Sequence, residues 1–313
     1  MPNKNFMLTQ ARVNKKDEFY TQYKDVETEV NKISSQLSGK SVYCPCDSES
    51  SNFVKFFKNN FQKFGLKFLY YSDIDNGAFK YDGVEEMMIS GPISIEGQPP
   101  HLPSGFYCDS FIDMLSNCDV VITNPPFSLF NNFLCDLVEN NKKFLIVGNQ
   151  NAITSKRVFL TIQNNNVQID FSGFKGLAGY FIVPDDYDDY AASVSHIDGF
   201  IRVSGVVWYT NIDGVVNNEG IEFGMKFDPN VHKFYDNFRT ISGLSEDCIN
   251  IDKTKDIPSD WYGYIGVPIS FMSKYNPEQF DIIQLDHYGP LGNLDNVVDG
   301  KSKYRRIYIR RKY

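Results

Sequence analysis

The sequence predicts an α/β protein: a doubly wound, mostly parallel sheet with an antiparallel strand pair, followed by a smaller irregular or β unit. Three observations carry this. From residue 41 to about 165, short apolar runs alternate with amphipathic stretches, the pattern of βαβ crossovers in a parallel sheet. Two strand-like runs, "YFIV" (180–183) and "FIRVSGVVWYT" (200–210), are joined by a loop rather than a helix, so they are expected to pair antiparallel. Beyond residue 213 the chain is turn-rich and aromatic, with no clean helical period.

Each element follows from its spacing. In "DVETEVNKISSQLS" (25–38), Val26, Val30, Ile33 and Leu37 fall at i, i+4, i+7 and i+11, one face of a helix that Gly39 ends. "SVYC" (41–44) reads as a short buried strand. "SNFVKFFKNNF" then reads as a helix with Phe53, Phe56, Phe57 and Phe61 turned inward, stopped by Gly65. "LKFLYY" (66–71) is a second strand. The Gly/Pro-rich stretch 77–105 reads as a long loop or a small hairpin. A short helix "SFIDMLSN" (110–117), a strand "DVVIT", a helix "LFNNFLCDLVEN" (129–140), a strand "KFLIVG" (143–148) and a helix "ITSKRVFLTIQN" (153–164) complete the alternation. A chain of 313 residues holds one large or two ordinary units, here 1–212 and 213–313.

Composition narrows the class. Apolar residues make up 42% and charged residues 22%, ordinary for a soluble globular protein. The apolar runs fall far short of the roughly 18 residues that span a bilayer. "MPNKNFMLTQ" carries no apolar signal core, so a cytoplasmic protein is expected. Six cysteines (44, 46, 108, 118, 135, 248) are too sparse for a disulfide framework. Cys44-Pro45-Cys46 has no second Cys or His pair beside it, and the four histidines stand singly, so no metal is expected. The net charge of −8 argues against nonspecific coating of nucleic acid. The last segment is different: "KSKYRRIYIRRKY" has seven Lys or Arg among thirteen residues and no acid. It suits phosphate contacts, with tyrosines interleaved, and it equally suits a basic edge strand that deters aggregation.

In an open α/β sheet, ligands bind beyond the carboxyl ends of the strands, where strand order reverses. The segments that follow the expected strands are "PCDSESSNF", "SDID" and "NPPF". Asn124-Pro125-Pro126-Phe127 is the most informative, because two prolines can neither continue a central strand nor sit inside a helix. A planar, conjugated amino group is a poor nucleophile, since its lone pair is delocalised. An amide oxygen and a backbone carbonyl that accept its two N–H bonds return density to nitrogen. Asn124 and the stiffened Pro125 carbonyl supply two such acceptors, and Phe127 offers a planar substrate a face to stack on. A plain proline turn after a strand is the bland alternative.

On "DEFYTQYKDVETEV", "VYCPCDSESSNFVKFF", "ITNPPFSLF", "KFLIVGNQNAIT" and "WYTNID", which cover most of 17–211, the chain resembles S-adenosylmethionine-dependent amino-methyltransferases. Among these it is most similar to the EcoRI-type adenine-specific DNA methyltransferase family. The resemblance implies a doubly wound methyltransferase sheet over residues 1–212, with 17–38 closing over the cofactor, and a DNA-recognition region over 213–313. It implies S-adenosylmethionine as cofactor, held by Tyr20 and Thr21 of "FYTQ", by Cys46, Asp47, Asn52 and Phe53, by Asp73 on the ribose with Ile74 on the adenine, and by Asp109. "CPCDSESSNF" stands where methyltransferases commonly carry a glycine-rich loop; it has no glycine, and in this family that substitution is itself the pattern. Asn124, Pro125, Pro126 and Phe127 are the implied catalytic residues. The acceptor is a flipped-out adenine in double-stranded DNA. Lys301, Lys303, Arg305, Arg306, Arg310 and Arg311 are the expected DNA contacts, and one chain supplies every part, so a monomer is expected.

Two rival readings stand beside this one. The same tetrapeptide suits RNA adenine or protein glutamine as acceptor, and a silent protein that binds cofactor and DNA without turnover is the non-enzymatic alternative. "PDDYDDY" (184–190) reads as a solvated acidic loop, "GFKGLAG" (173–179) as a loop near the substrate, and His196 and His287 as structural. Trp208 or Tyr209 stands near the expected base pocket.

Overall fold

The computed structural model describes residues 20–73, 76–91, 109–174, 180–182, 199–217 and 219–312, with the backbone alone at 73 and 109–111. The chain divides into two compact units: Met1–Ala152 with Val167–Val215, and Ile153–Asn166 with Val216–Tyr313.

The first unit is built on an eight-stranded sheet. Its strands are β1 (Ser41–Pro45), β2 (Phe68–Asp73), β3 (Gly77–Tyr81), β4 (Glu86–Ser90), β5 (Val120–Thr123), β6 (Lys143–Asn149), β7 (Gln168–Asp170) and β10 (Val206–Thr210), in the order β4-β3-β2-β1-β5-β6-β10-β7. β2, β1, β5 and β6 run parallel, and β1 and β5 are buried along their whole length. The sheet is antiparallel at both ends, β2–β3–β4 on one side and β6–β10–β7 on the other, which is more than the single pair expected. Two strands, β8 (Tyr180–Ile182) and β9 (Phe200–Arg202), form a separate hairpin. "FIRVSGVVWYT" is therefore two strands in two sheets, broken at Gly205, whose φ is +75°. Most residues of the stretch 77–90 form the β3–β4 hairpin; 92–108 lie outside the described residues.

Helices cover both faces. α1 (Tyr23–Asn31) ends earlier than the spacing suggested, and a 3-10 turn at Ser34–Gln36 carries the apolar stripe on to Leu37. α2 (Asn52–Phe64) is capped by Ser51, whose hydroxyl accepts from Val54 N at 3.1 Å, and closed by Gly65 at φ +63°. α3 (Asp109–Asn117) and α4 (Phe130–Glu139) flank β5. Trp208 packs edge-on against Phe53 of α2, and Tyr209 against Phe130 of α4. Successive strand residues face opposite sides, so α2 and α4 lie on opposite faces and the sheet is doubly wound. α1 shares the α2 face, through Tyr23 on Phe56.

The second unit takes α5 (Lys156–Gln163), although its neighbours in sequence belong to the first. Its sheet runs β11 (Lys233–Phe234), β12 (Cys248–Asn250), β13 (Tyr264–Pro268), β17 (Arg306–Arg311), β14 (Phe280–Leu285). A short helix α6 (Phe238–Ser242) and the small hairpin β15 (Val297–Val298) with β16 (Lys301–Ser302) complete it. Phe238, Tyr235, Cys248, Leu291, Leu294, Val298 and Tyr308 make its own core. Gln163 of α5 donates from Nε2 to the Ile282 and Ile283 carbonyls of β14. β17, the basic segment, pairs on both sides, so it is a central strand and not the edge strand one reading of its composition offered. Among the described residues, no helix is long and apolar enough to cross a membrane, and no group of three or more His, Cys, Asp or Glu could hold a metal ion.

Candidate active site

β1 has β2 on one side and β5 on the other. The chain leaves β1 by α2 to reach β2, then comes back past β1 to place β5 on the far side. The strand order thus reverses between β1 and β5, and in open α/β sheets the ligand crevice lies outside the carboxyl ends at such a point. The loops that meet there are Cys46–Ser51 and Asn124–Leu129. The Thr123 side chain ties them. Thr123, fully buried at the end of β5, lies within reach of the Pro45 carbonyl and of Asp47 Oδ2 at 2.6 Å. The third strand joins through Asp47 N, which donates to the Ser72 carbonyl at 3.0 Å. The backbone of Asp73 is next along β2.

The β1 loop turns at Cys46, whose φ is +68°. That is the left-handed conformation glycine favours, and a side chain there costs roughly 1 kcal/mol. The glycine-free loop therefore keeps one glycine-like backbone position and fills it with a thiol. From Asp47 the loop enters α2. Asn52, its first residue, donates from Nδ2 to the Thr21 carbonyl at 2.8 Å, and Phe53 is buried against Trp208.

The segment before α1 is held on its other side as well. Tyr20 and Ile182 of β8 exchange backbone hydrogen bonds at 2.9 Å, and Gln22 Nε2 donates to the Tyr180 carbonyl at 2.6 Å. Residues 20–22 thus bridge the β8–β9 hairpin and the start of α2. α1 is also anchored at its far end. Glu29 is fully buried and shares the Lys32 ammonium with Asp170 of β7. Burial pushes the Glu29 carboxyl up to about 8, against the hydrogen bond from Lys32. Burial acts to raise Asp170 too, but hydrogen bonds from Lys32 and Ser172 hold it below the usual carboxylate range.

At the other loop, Asn124 directly follows β5, Pro125 is buried, and Pro126 and Phe127 are half-buried. Pro126 supplies the carbonyl that closes the turn, accepting from Leu129 N at 3.0 Å. α4 then starts at Phe130, whose ring packs on β6 at Gly148 so closely that a Cβ there would collide with it.

The structure thus brings Cys46, Asp47, Asn52, Thr21 and Asn124 to one end of one sheet. Tyr20 sits behind Thr21 and is 44% exposed. Asp109 opens α3; its side chain, that of Asp73, and Ile74 lie outside the described residues, as do 184–190 and His196. The sequence reading missed Thr123, Asp25 and Glu29. Each left a signal: a hydroxyl ending an otherwise apolar strand, and two carboxylates four apart beside the Val26/Val30 stripe.

In the second unit the basic residues divide. Arg306 departs from its expected role, because its guanidinium is buried. It donates to Asp252 Oδ1 at 2.6 Å, to Asn250 Oδ1 at 3.2 Å and to the Tyr304 carbonyl at 3.1 Å. Arg311 lies over the Phe223 ring and donates to the Ser259 carbonyl. Lys303 pairs with Asp252 at 2.9 Å and Arg310 with Glu246 at 3.0 Å. Lys301 is exposed, and Arg305 is 42% exposed at 3.5 Å from Asp286.

Comparison with known proteins decides the family. The model of the adenine-specific methyltransferase EcoRI family matches residues 7–312, nearly the whole chain. The chain belongs to this family. It is 36% identical to the type II methyltransferase M.EcoRI of Escherichia coli, over 98% of this chain and 97% of that protein. It is 30% identical to the type II methyltransferase M.MpnI of Mycoplasma pneumoniae, over 97% of this chain and 98% of that one. M.MgeORF184P of Mycoplasma genitalium is likewise 30% identical over 97% of the chain. No solved structure matches. The chain is therefore an enzyme, an adenine-specific methyltransferase, and methyltransferases of this family use S-adenosylmethionine in general.

Proposed function

We propose that this enzyme transfers the methyl group of S-adenosylmethionine to the N6 amino group of an adenine flipped out of duplex DNA, as the modification half of a restriction-modification pair. The observation that carries the reading is the position of Asn124-Pro125-Pro126-Phe127 at the β1/β5 reversal, tied through Thr123 to the loop that opens α2. The first unit's residues suit the cofactor. Asp47 and the turn at Cys46 lie beside the amino end of α2, and Thr21 is 3% exposed with an Oγ1 that bonds nothing among the described residues. Bound there, the cofactor supplies an electrophilic methyl on a sulfonium. The chain's residues then do the rest. Asn124 Oδ1 and the Pro125 carbonyl accept from the amino group, and Phe127 stacks on the base. This raises nitrogen nucleophilicity and stabilises the positive charge that develops there, so rate comes from alignment and charge stabilisation without a strong base. Asp73 and Ile74 hold the nucleoside end, with Asp109 on the adenine amino group. Lys301 and Arg305, exposed on the second unit, contact phosphate, and one chain suffices.

Transfer of labelled methyl to unmethylated duplex DNA, with RNA and protein extract in parallel, tests this. Label is expected as N6-methyladenine in DNA. Label in RNA or in protein glutamine would move the acceptor. The Asn124→Ala variant is expected to lose turnover while binding cofactor as the parent does; a variant with near-normal rate would remove Asn124 from the mechanism.

A further inference from the structure

In the second unit the end of β14 and the start of β17 lie side by side, with Leu285 opposite Ile307. Beyond that pair the two segments stay joined. Asp286 N donates to the Arg306 carbonyl at 3.0 Å, and Arg306 N donates to Asp286 Oδ1 at 2.6 Å. The chain then turns back at once, Tyr288 N donating to the Leu285 carbonyl at 2.7 Å, and His287 stands exposed at the tip. The buried Asp286 carboxylate also accepts from Asn296 Nδ2 at 2.7 Å, and Arg305 Nη1 is 3.5 Å from its second oxygen. Asp286 therefore pins the 286–288 turn to the 303–306 segment.

That segment is stiff at both ends. Lys303 N donates to the Asn296 carbonyl at 2.8 Å, and the Tyr304 carbonyl accepts from Arg306 Nη1 at 3.1 Å. On this fixed backbone the Tyr304 side chain is 73% exposed. Tyr288 is half-exposed, and the ammonium of Lys156, the exposed first residue of α5, stands 5.8 Å from the centre of its ring. The acids that these residues touch are already engaged, Asp286 as above and Asp252 by Lys303 and Arg306. What this edge turns to solvent is two phenol rings with the cations of Lys156 and Arg305.

Cations suit phosphates, which position a protein on DNA without reading its sequence. A phosphate offers a phenol ring no apolar surface, whereas base edges and base faces do. A backbone fixed in advance also lowers the ordering cost of placing the ring. We propose that this edge docks into a groove of duplex DNA, with Lys156 and Arg305 on phosphates and Tyr304 against the bases as a specificity-determining contact. Tyr288 supports the Lys156 ammonium, and Asp286 positions both segments. This rests on the reading that the second unit contacts duplex DNA, and it names the residue that reads sequence there.

The test is filter binding of the full chain, across a salt series, to two duplexes. One spans a site that the parent enzyme labels; in the other the bases of that site are scrambled. Tyr304→Ala is expected to weaken the site duplex by about tenfold, the loss of one base contact, and to leave the scrambled duplex and the salt slope as in the parent. Tyr304→Phe, which keeps the ring, is expected to keep the preference. Lys156→Ala is expected to weaken both duplexes alike and to reduce the salt slope by about one. Equal affinities of Tyr304→Ala and the parent for both duplexes, equal weakening of both, or a Phe variant as impaired as the Ala variant overturns Tyr304 as a base contact. An unchanged slope in Lys156→Ala overturns the docking edge. Each of these leaves the methyl-transfer reading standing, whereas a parent that labels no DNA and binds neither duplex overturns the DNA reading itself.

Discussion

Thr123 shows how one hydroxyl at the end of an apolar strand joins the two loops of the site. Glu29 shows how a buried carboxylate fixes the helix that covers it. A group whose folded pKa is raised stabilises the fold fully below its unfolded value and loses that contribution as pH climbs through the folded value. For Glu29 the window runs from the ordinary carboxylate range up to about 8. The ligand-free enzyme is therefore expected to lose thermal stability as pH rises from about 5 to 8, and Glu29→Gln to flatten that slope. Parallel slopes in parent and variant, followed by melting temperature, would take Glu29 out of the account. At this scale the sequence was half legible. Asn124-Pro125-Pro126-Phe127 declares itself, because residue type and strand-end position suffice. Asp25 and Glu29 could not be singled out, because helical spacing says which residues share a face but not how far a partner covers its margins. Cys46 could be placed in the loop, yet its positive φ could not be foreseen in a residue that rarely adopts it.

Elements carry the site through their ends. β5 stops at Thr123, the Pro126 carbonyl closes the turn, and Phe130 seats α4 on β6 at Gly148. Gly148→Ala must displace Phe130, so it is expected to cost roughly 1–3 kcal/mol of stability as an overpacking change. Because the displaced ring opens the helix that follows Phe127, turnover should fall more than cofactor affinity does. A variant with full stability and rate would show that the turn is set without Phe130; denaturant unfolding and steady-state kinetics together decide. Strands and helices from 41 to 164 lay within a few residues of expectation, since unbroken apolar runs and 3.6-residue spacing are local signals. The exceptions have tertiary causes. β7 is three residues long and is fixed by pairing with β10. "FIRVSGVVWYT" carries one continuous strand composition, and only the partners available to each half divide it between two sheets.

The whole molecule consists of two units, each with its own sheet and core. The expectation that six basic residues share a DNA-contact role treats them alike, whereas the fold does not. Arg306→Ala is expected to destabilise the second unit by about 2 kcal/mol, through loss of the hydrogen bonds its buried guanidinium makes to Asn250, Asp252 and the Tyr304 carbonyl and of the packing of its stem. Arg305→Ala should leave stability nearly unchanged, weaken duplex DNA binding and reduce its salt dependence. Melting curves with filter binding across a salt series separate the two; a stability loss for Arg305 equal to that for Arg306 would refute the division. The chain's own residues determined the strand–helix alternation, the parallel core and the chemistry of the Asn124–Phe127 tetrapeptide, because each is written in local spacing and residue type. Tertiary structure alone decided which loops meet at the β1/β5 edge, that β17 is a central strand, that Arg306 is buried and that α5 joins the second unit. Those outcomes depend on pairings between residues far apart in the chain, where composition gives no register and burial is settled by the partner.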